Sequence, residues 1–195
     1  PEGWFTHIHK NNRWNSKESR SGKGSELIQT VEVRKIIPDI IKKYNIKSVL
    51  DIPCGDFNYM KEIQMECDYI GADIVYDLIE DNKRKYPEID FRHLNLISDS
   101  LPKSDLVICR DCLVHLNTFD CVQSILNIKK SGAKYLLVTS FTFWKNNIEL
   151  PRSGWRKINM ELHPYNLRPI EIFNESFHND HNRDKSLILV DMHSM

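Results

Sequence analysis

Apolar residues in this chain fall into short runs separated by amphipathic stretches. Ser48 to Ile52 is the first compact run, and Pro53, Gly55 and Asp56 end it, which reads as a buried parallel strand followed by a tight turn. Tyr59 to Ile63 is expected to begin a helix behind that turn. Asp68 to Asp73 forms a second strand, and Val75 to Lys85 is amphipathic, with Val75, Leu78, Ile79 and Asn82 on one side. Ile89 to Leu94 alternates as a third strand, and Asp105 to Cys109 is a fourth. Thr118 is expected to cap a helix over Phe119 to Lys130, which stops at Ser131-Gly132 with two lysines in its last turn. Lys134 to Thr139 is the fifth strand. Strands alternating with helices in this way predict βαβ units on a parallel sheet. Pro169 to Phe173 and Ser186 to Met192 complete the set. The link Phe177 to Lys185 between them is too short for a crossover helix, so the last two strands are expected to pair as an antiparallel hairpin.

Upstream of the first strand, Ser25 is expected to cap a helix over Glu26 to Ile36, with Leu27, Val31 and Ile36 as its apolar stripe. Pro38 is expected to start a second helical piece, Asp39 to Tyr44. Residues 1–23 are polar and read as loop, with Trp4, Phe5 and Trp14 as their large anchors. The 195 residues suit one α/β domain: an N-terminal loop and cap helices over 1–45, a core over 46–140, an excursion over 141–168 and a hairpin over 169–195.

Composition narrows the function. The 27 basic and 27 acidic side chains balance, so nothing electrostatic favours nucleic acid or an anionic membrane as partner. No run approaches a membrane span, and no secretory signal is evident in this chain, which begins at Pro1. The five cysteines, Cys54, Cys67, Cys109, Cys112 and Cys121, are expected to be reduced thiols of a cytoplasmic protein. Cys109-x-x-Cys112 has redox or zinc spacing but lacks a second pair. His7 and His9 have no third ligand beside them in sequence and read as surface histidines, so no metal site is assigned.

The chemistry gathers around Lys47 to Tyr59. A strand, a glycine-bearing turn and a following helix place backbone N–H groups at the carboxyl end of a strand, where open α/β sheets bind ligands. Asp73 closes the second strand at a spacing suited to accepting hydrogen bonds from ribose hydroxyls. Asp51-x-x-x-Gly55 together with Asp73 resembles the class I S-adenosylmethionine-dependent methyltransferases. Their first motif has three glycines; here Pro53 stands at the first, Gly55 at the second and Phe57 at the third. The resemblance implies a Rossmann-like seven-stranded sheet, mostly parallel with an antiparallel last strand, and S-adenosylmethionine as cofactor, with S-adenosylhomocysteine as product. The cofactor contacts it implies are Asp51, Pro53, Gly55, Asp73, Ile74, Asn95 and Arg110. Asn95, or Asp99 beyond it, would meet the adenine; loop capping is the competing role. Arg34, four residues from Thr30 on one helix face, would pair with the cofactor carboxylate, or else be a solvated arginine.

In this family the turn after the fourth strand faces both ligands. His115 is therefore the expected general base and Asp111, four residues earlier, its support. A histidine that packs the following helix and an aspartate that caps it are the alternatives, and Arg110 would also suit an anionic acceptor. The excursion after the fifth strand is long and carries Trp144, Arg152, Trp155, Arg156 and Asn159, which suit a sugar or phosphorylated sugar. A packed excursion that only covers the sheet is the other reading. Trp14-x-Ser16-x-Glu18-Ser19, Ser21-Gly22-x-Gly24-Ser25, Gln29-Thr30-x-x-x-Arg34 and Gly154-Trp155-Arg156-x-x-Asn159 resemble small bacterial methyltransferases associated with surface (capsular) polysaccharide biosynthesis. The loop Trp14 to Ser25 would then close over the cofactor. The expected activity is O-methylation of a small sugar-type or nucleotide-linked acceptor. N- or protein methylation, a non-catalytic nucleotide-binding domain and a dinucleotide-dependent oxidoreductase are the alternatives. Asp105, Asp111 and His115 offer ligands that keep Mg²⁺ dependence open, and the oligomeric state is not legible. The link His178 to Asp184 carries metal-capable side chains and reads as a solvated hairpin tip.

Overall fold

The structure, a computed structural model, describes residues 1–152, 154–175 and 183–194. Its described residues form one seven-stranded sheet in the order β3-β2-β1-β4-β5-β7-β6. The strands are β1 (Ser48–Asp51), β2 (Asp68–Asp73), β3 (Asp90–His93), β4 (Leu106–Cys109), β5 (Tyr135–Phe141), β6 (Pro169–Asn174) and β7 (Lys185–Asp191). The first five are parallel to one another; β7 lies antiparallel between β5 and β6. The antiparallel hairpin expected from the short link is therefore present, while most of the link itself, 176–182, lies outside the described residues.

Central strands are apolar on both faces because both faces are covered. Leu50, Val107, Leu136, Ile188 and Val190 point to one side, against α4 (Thr118–Lys130) and the 158–167 segment. Val49, Leu106, Ile108, Leu137, Leu187 and Leu189 point to the other, against α2 (Val33–Lys43) and α3 (Tyr76–Lys85). On β2, Gly71 makes room for its partner strand: a side chain there would meet the Phe91 ring at 2.7 Å.

Four local expectations are corrected. Residues 2–10 are not loop but helix α1 (Glu2–Lys10), with an acid in its first turn and two histidines and a lysine in its last. The break at Pro38 does not occur. Residues 26–32 are successive turns, and α2 then runs unbroken through Pro38. An interior proline costs about 3 kcal/mol. The stripe Val33, Ile36, Ile37, Ile40 and Ile41 is buried, and each such side chain contributes roughly 1.5–3 kcal/mol, which outweighs it. The helix expected from Tyr59 is a single 3₁₀ turn, Met60–Glu62, because Phe57 already turns the chain inward. Asn117, not Thr118, caps α4, its side chain accepting from the Asp120 N–H at 2.8 Å.

The 141–168 excursion doubles back on itself. Phe141 N–H donates to the Ile158 carbonyl, and the Asn147 amide bonds the Asn159 backbone in both directions, at 2.8 and 2.9 Å. Ile158, Met160, Tyr165 and Leu167 are buried against the sheet, where a crossover helix would otherwise lie.

Candidate active site

The carboxyl ends of β1, β2 and β4 open into a cavity of about 110 Å³. Its floor is the turn after β1. Ile52 and Cys54 carry the sheet pairing onward, donating to the Ile108 and Ala72 carbonyls. Ile52–Pro53 is a cis peptide, and Gly55 and Phe57 both take left-handed backbone, φ 56° and 60°. Phe57 thus keeps a conformation suited to glycine, and its ring leaves the cavity for the core, 5.2 to 5.5 Å from Tyr69, Tyr86 and Phe91.

Asp73 ends β2 at the cavity. Its carboxylate accepts from the Val75 N–H at 2.9 Å and the Gly55 N–H at 3.2 Å. Burial pushes it up to about 6 despite those bonds. Ile74, Val75, Leu78, Leu94 and Ile97 form an apolar wall beside it, with Asn95 among them. Asn95 Oδ1 accepts from the Ile97 N–H, and Asp99 holds the Asn95 N–H, so Asp99 shapes this turn rather than facing the cavity. Asp51 lies under the floor. Tyr69 Oη donates to its Oδ2 at 2.8 Å, its Oδ1 is buried without a hydrogen-bond partner among the described residues, and burial pushes it up to about 7.

Across the cavity, the end of β4 meets the start of β7. Arg110 donates to Glu175 at 2.7 Å and lies 3.5 Å from Asp111; Lys185 reaches Asp111 at 2.6 Å and Glu175 at 3.0 Å. Two cations and two carboxylates close a ring, and the guanidinium stacks over Tyr59. Burial raises Asp111, but Lys185 and Arg110 outweigh it and hold it at about 2. Asp111 has left-handed backbone, φ 53°, steadied by its N–H on Thr139 Oγ1.

His115 closes the 3₁₀ turn after β4. Its Nδ1 lies 2.6 Å from the Gly154 carbonyl. A carbonyl only accepts, so the proton sits on Nδ1 and Nε2 carries the lone pair. Burial lowers its pKa, and Asp111 pulls the other way through space without a hydrogen bond. Trp14, Trp4 and Phe5 surround the ring at 5.5, 5.9 and 6.3 Å.

The roof is the N-terminal segment, which sequence reasoning placed only in part. Phe5 and His9, four apart on α1, line the cavity together with Pro1 just before the helix and with Trp14, Arg20 and Ser21. The serine- and glycine-rich run is a clasp. Asp56 accepts from Ser19 Oγ, the Arg20 N–H and Ser21 Oγ at 2.7 to 3.2 Å. Asn58 donates to Glu18 and to the Ser25 carbonyl. Ser21 rests on Gly55, where a Cβ would lie 2.2 Å from its hydroxyl.

Of the expected site residues, Pro53, Gly55, Asp73, Ile74, Asn95, Arg110, Asp111 and His115 line one cavity. Arg34 does not; its guanidinium donates to the Leu27 carbonyl. Nor do Trp144, Arg152, Trp155, Arg156 and Asn159. Trp144 and Trp155 lie partly exposed near Phe141, Arg152 is exposed, and Asn159 bonds the Thr142 and Trp144 carbonyls. Arg156 is buried. Glu175, Lys185 and Tyr59 were not expected at the site; Phe5, expected only as an anchor, and His9, expected as a surface histidine, line it, and their spacing of four was the available signal. Among the described residues no group of three metal-capable side chains is placed to hold an ion, and no helix is long and apolar enough to cross a membrane.

No protein-family model matches the chain. Over 97% of its length it superposes on the 1,6-didemethyltoxoflavin-N1-methyltransferase of Burkholderia thailandensis, covering 86% of that chain, with TM-score 0.66 and 10% identity. It also covers 96% of the N-methyltransferase NodS of Bradyrhizobium japonicum, over 95% of its own length, at TM-score 0.65 and 12% identity. The fold is that of the class I methyltransferases. Both of those structures hold S-adenosylhomocysteine, and the magnesium protoporphyrin IX methyltransferase of Synechocystis (TM-score 0.61, 14% identity, 96% of this chain and 94% of that one) holds SAM. In sequence, 121 residues are 28% identical to a putative methyltransferase of Invertebrate iridescent virus 6, spanning 60% of this chain and 45% of the viral protein's length.

Proposed function

We propose that this protein binds S-adenosylmethionine in the cavity and methylates a small hydroxylated acceptor, with His115 as general base. The observation that carries this reading is the pairing, in one cavity, of a buried Asp73 at the β2 end with a neutral His115 at the β4 end. The cofactor fits the residues present. Asp73 keeps lone pairs for ribose hydroxyls, the Ile74 to Ile97 wall suits an adenine, and Arg20 brings positive charge to a carboxylate. Bound there, S-adenosylmethionine supplies an activated methyl group on a sulfonium sulfur.

The chain's own part is positioning and proton transfer. The Gly154 carbonyl holds the His115 proton on Nδ1, which leaves Nε2 free to take a proton from an acceptor hydroxyl. A lowered pKa keeps the ring neutral at neutral pH, as a base requires. Trp14 and Phe5 offer faces beside it on which a sugar ring can stack. Together with the polysaccharide-type resemblance of the clasp sequence, this favours a sugar-type or nucleotide-linked acceptor and a cytoplasmic site of action.

Calorimetric titration with S-adenosylhomocysteine, using NAD as control, tests the cofactor. Binding of the former alone is expected; binding of NAD, or of neither, overturns the reading. Transfer from methyl-labelled S-adenosylmethionine to a panel of monosaccharides and nucleotide sugars then tests the base. His115→Ala is expected to keep S-adenosylhomocysteine affinity and slow transfer by roughly 10²–10⁴. Turnover at the wild-type rate would remove His115 from the chemistry and favour a nitrogen acceptor that needs no base.

A further inference from the structure

We propose that Arg156 is a positioning residue that fixes the orientation and tautomer of His115. The proposal rests on the reading of His115 as the base. Arg156 is 2% exposed and faces the back of the 3₁₀ turn that carries His115. Its backbone N–H donates to the Val114 carbonyl at 3.1 Å, and its Nη1 donates to the Leu116 carbonyl at 2.5 Å. The carbonyls on both sides of His115 are therefore held by one residue. Two positions earlier, the Gly154 carbonyl takes the Nδ1 proton at 2.6 Å. Residues 154–156 thus grip 114–116 through three hydrogen bonds, and the imidazole is the middle one.

Packing tightens the grip. Gly154 has left-handed backbone, φ 74°, and a Cβ there would lie 2.7 Å from the Trp4 ring, so only glycine presents its carbonyl in this direction. The far end of the guanidinium is anchored on Tyr165 Oη at 3.2 Å, with Cys121 Sγ at 3.8 Å.

Stability alone is a poor account of this arginine. No carboxylate lies within ion-pair distance of it among the described residues, and its Nε is buried without a hydrogen-bond partner. A buried charge compensated only by neutral acceptors is costly compared with an apolar side chain of the same volume. The bonds it does make all bear on the His115 turn or brace the guanidinium that makes them. In metal centres the partner behind a histidine fixes its tautomer and ring direction in the same way.

Nitrogen NMR on histidine-labelled protein tests the proposal without an acceptor, with His115 assigned by its absence in His115→Gln. The wild type is expected to show a neutral ring at pH 7.5 with its proton on Nδ1. Arg156→Met keeps the volume and loses the donors; a mixture of tautomers and a His115 midpoint displaced from that of the wild type are expected. Arg156→Lys, which restores a donor toward Leu116, is expected to recover much of the wild-type signal. A wild-type proton on Nε2 overturns the proposal. So does a folded Arg156→Met with unchanged tautomer and midpoint, which would leave Arg156 as packing. Should Arg156→Met not fold, Arg156→Gln is read by the same two signals and the same outcomes decide. Once an acceptor is found, kcat is expected to fall roughly 10–100-fold in Arg156→Met with S-adenosylhomocysteine affinity unchanged. Wild-type transfer by His115→Ala would end the base reading, while the tautomer result would stand or fall by itself.

Discussion

Where β1 and β2 end, Asp51 under the cavity floor and Asp73 at its edge are buried beside backbone N–H groups and a tyrosine hydroxyl, with no cation in ion-pair contact among the described residues. At the β4 end, Asp111 sits between Lys185 and Arg110, and Glu175 closes the ring behind them. The first pair is pushed up to about 7 and about 6, and Asp111 is held at about 2. Burial raises all three; the partner decides the outcome. One end is an acceptor surface whose charge a ligand would complete. The other is complete already and serves as a rigid frame for the turn that carries His115.

The comparison breaks most severely if the ring at the β4 end is not load-sharing. Glu175→Ala leaves Arg110 and Lys185 facing each other across a buried gap, and a loss of about 3–5 kcal/mol is expected on thermal unfolding. A loss under about 1 kcal/mol would mean that solvent already compensates these charges. Next in size is the ligand term at the other end. Asp73→Ala is expected to weaken S-adenosylhomocysteine binding well over tenfold, more than about 1.4 kcal/mol by calorimetry. Unchanged affinity would take Asp73 out of the cofactor site.

A third test uses the sign of the pKa shifts. Between about pH 4 and pH 7 the folded protein holds a proton on Asp51 that the unfolded chain has released, so this group's contribution to stability is lost as pH rises through that window. For Asp111 the order reverses, and its contribution is lost as pH falls from about 4 toward 2. Asp51→Asn keeps an acceptor for Tyr69. It is expected to flatten the decline between pH 4 and 7 by about 1–2 kcal/mol in ligand-free protein. A slope equal to that of wild type would show that Asp51 is ionised throughout. The smallest effect is expected at the roof. Asp56→Ala removes three bonds to residues 19–21, each contributing about 0.5–1.5 kcal/mol at most. Faster proteolysis within residues 10–25 and a several-fold loss of S-adenosylhomocysteine affinity are expected. Unaltered cleavage would mean that Asn58 and Trp14 hold the clasp without it.

The same division governs how much could be read in advance. The β2 end is local: strand, turn and Asp73 occupy one stretch of chain, and their spacing is enough to place them. Phe57 looked like damage to a glycine motif. The backbone keeps its left-handed turn there because an aromatic pocket, built from three other segments, takes the ring. The β4 end is non-local. Asp111 and Lys185 are 74 positions apart, Arg110 and Glu175 65, and no pattern in either stretch marks the other. Arg156 shows the limit most clearly. Its type and its loop suggested an acceptor contact, but the excursion folds back toward the sheet and turns the guanidinium onto the His115 turn.

Hydrophobic periodicity determined the number of strands and their succession along the chain, the short link between the last two made them an antiparallel hairpin, and the strand-turn-helix at Ser48 to Ile63 marked the edge of the sheet that carries the cavity, because each of these is written in one local stretch of chain. It also determined that Asp73 and the Gly55 turn share that edge. Tertiary structure alone decided that residues 2–10 become a helical roof, that α2 continues through Pro38, and that two acids at one end rise while one at the other falls. Each of these turns on a neighbour supplied from elsewhere in the chain, and the free energy of a helix, a proline or a carboxylate is set by what it is buried against.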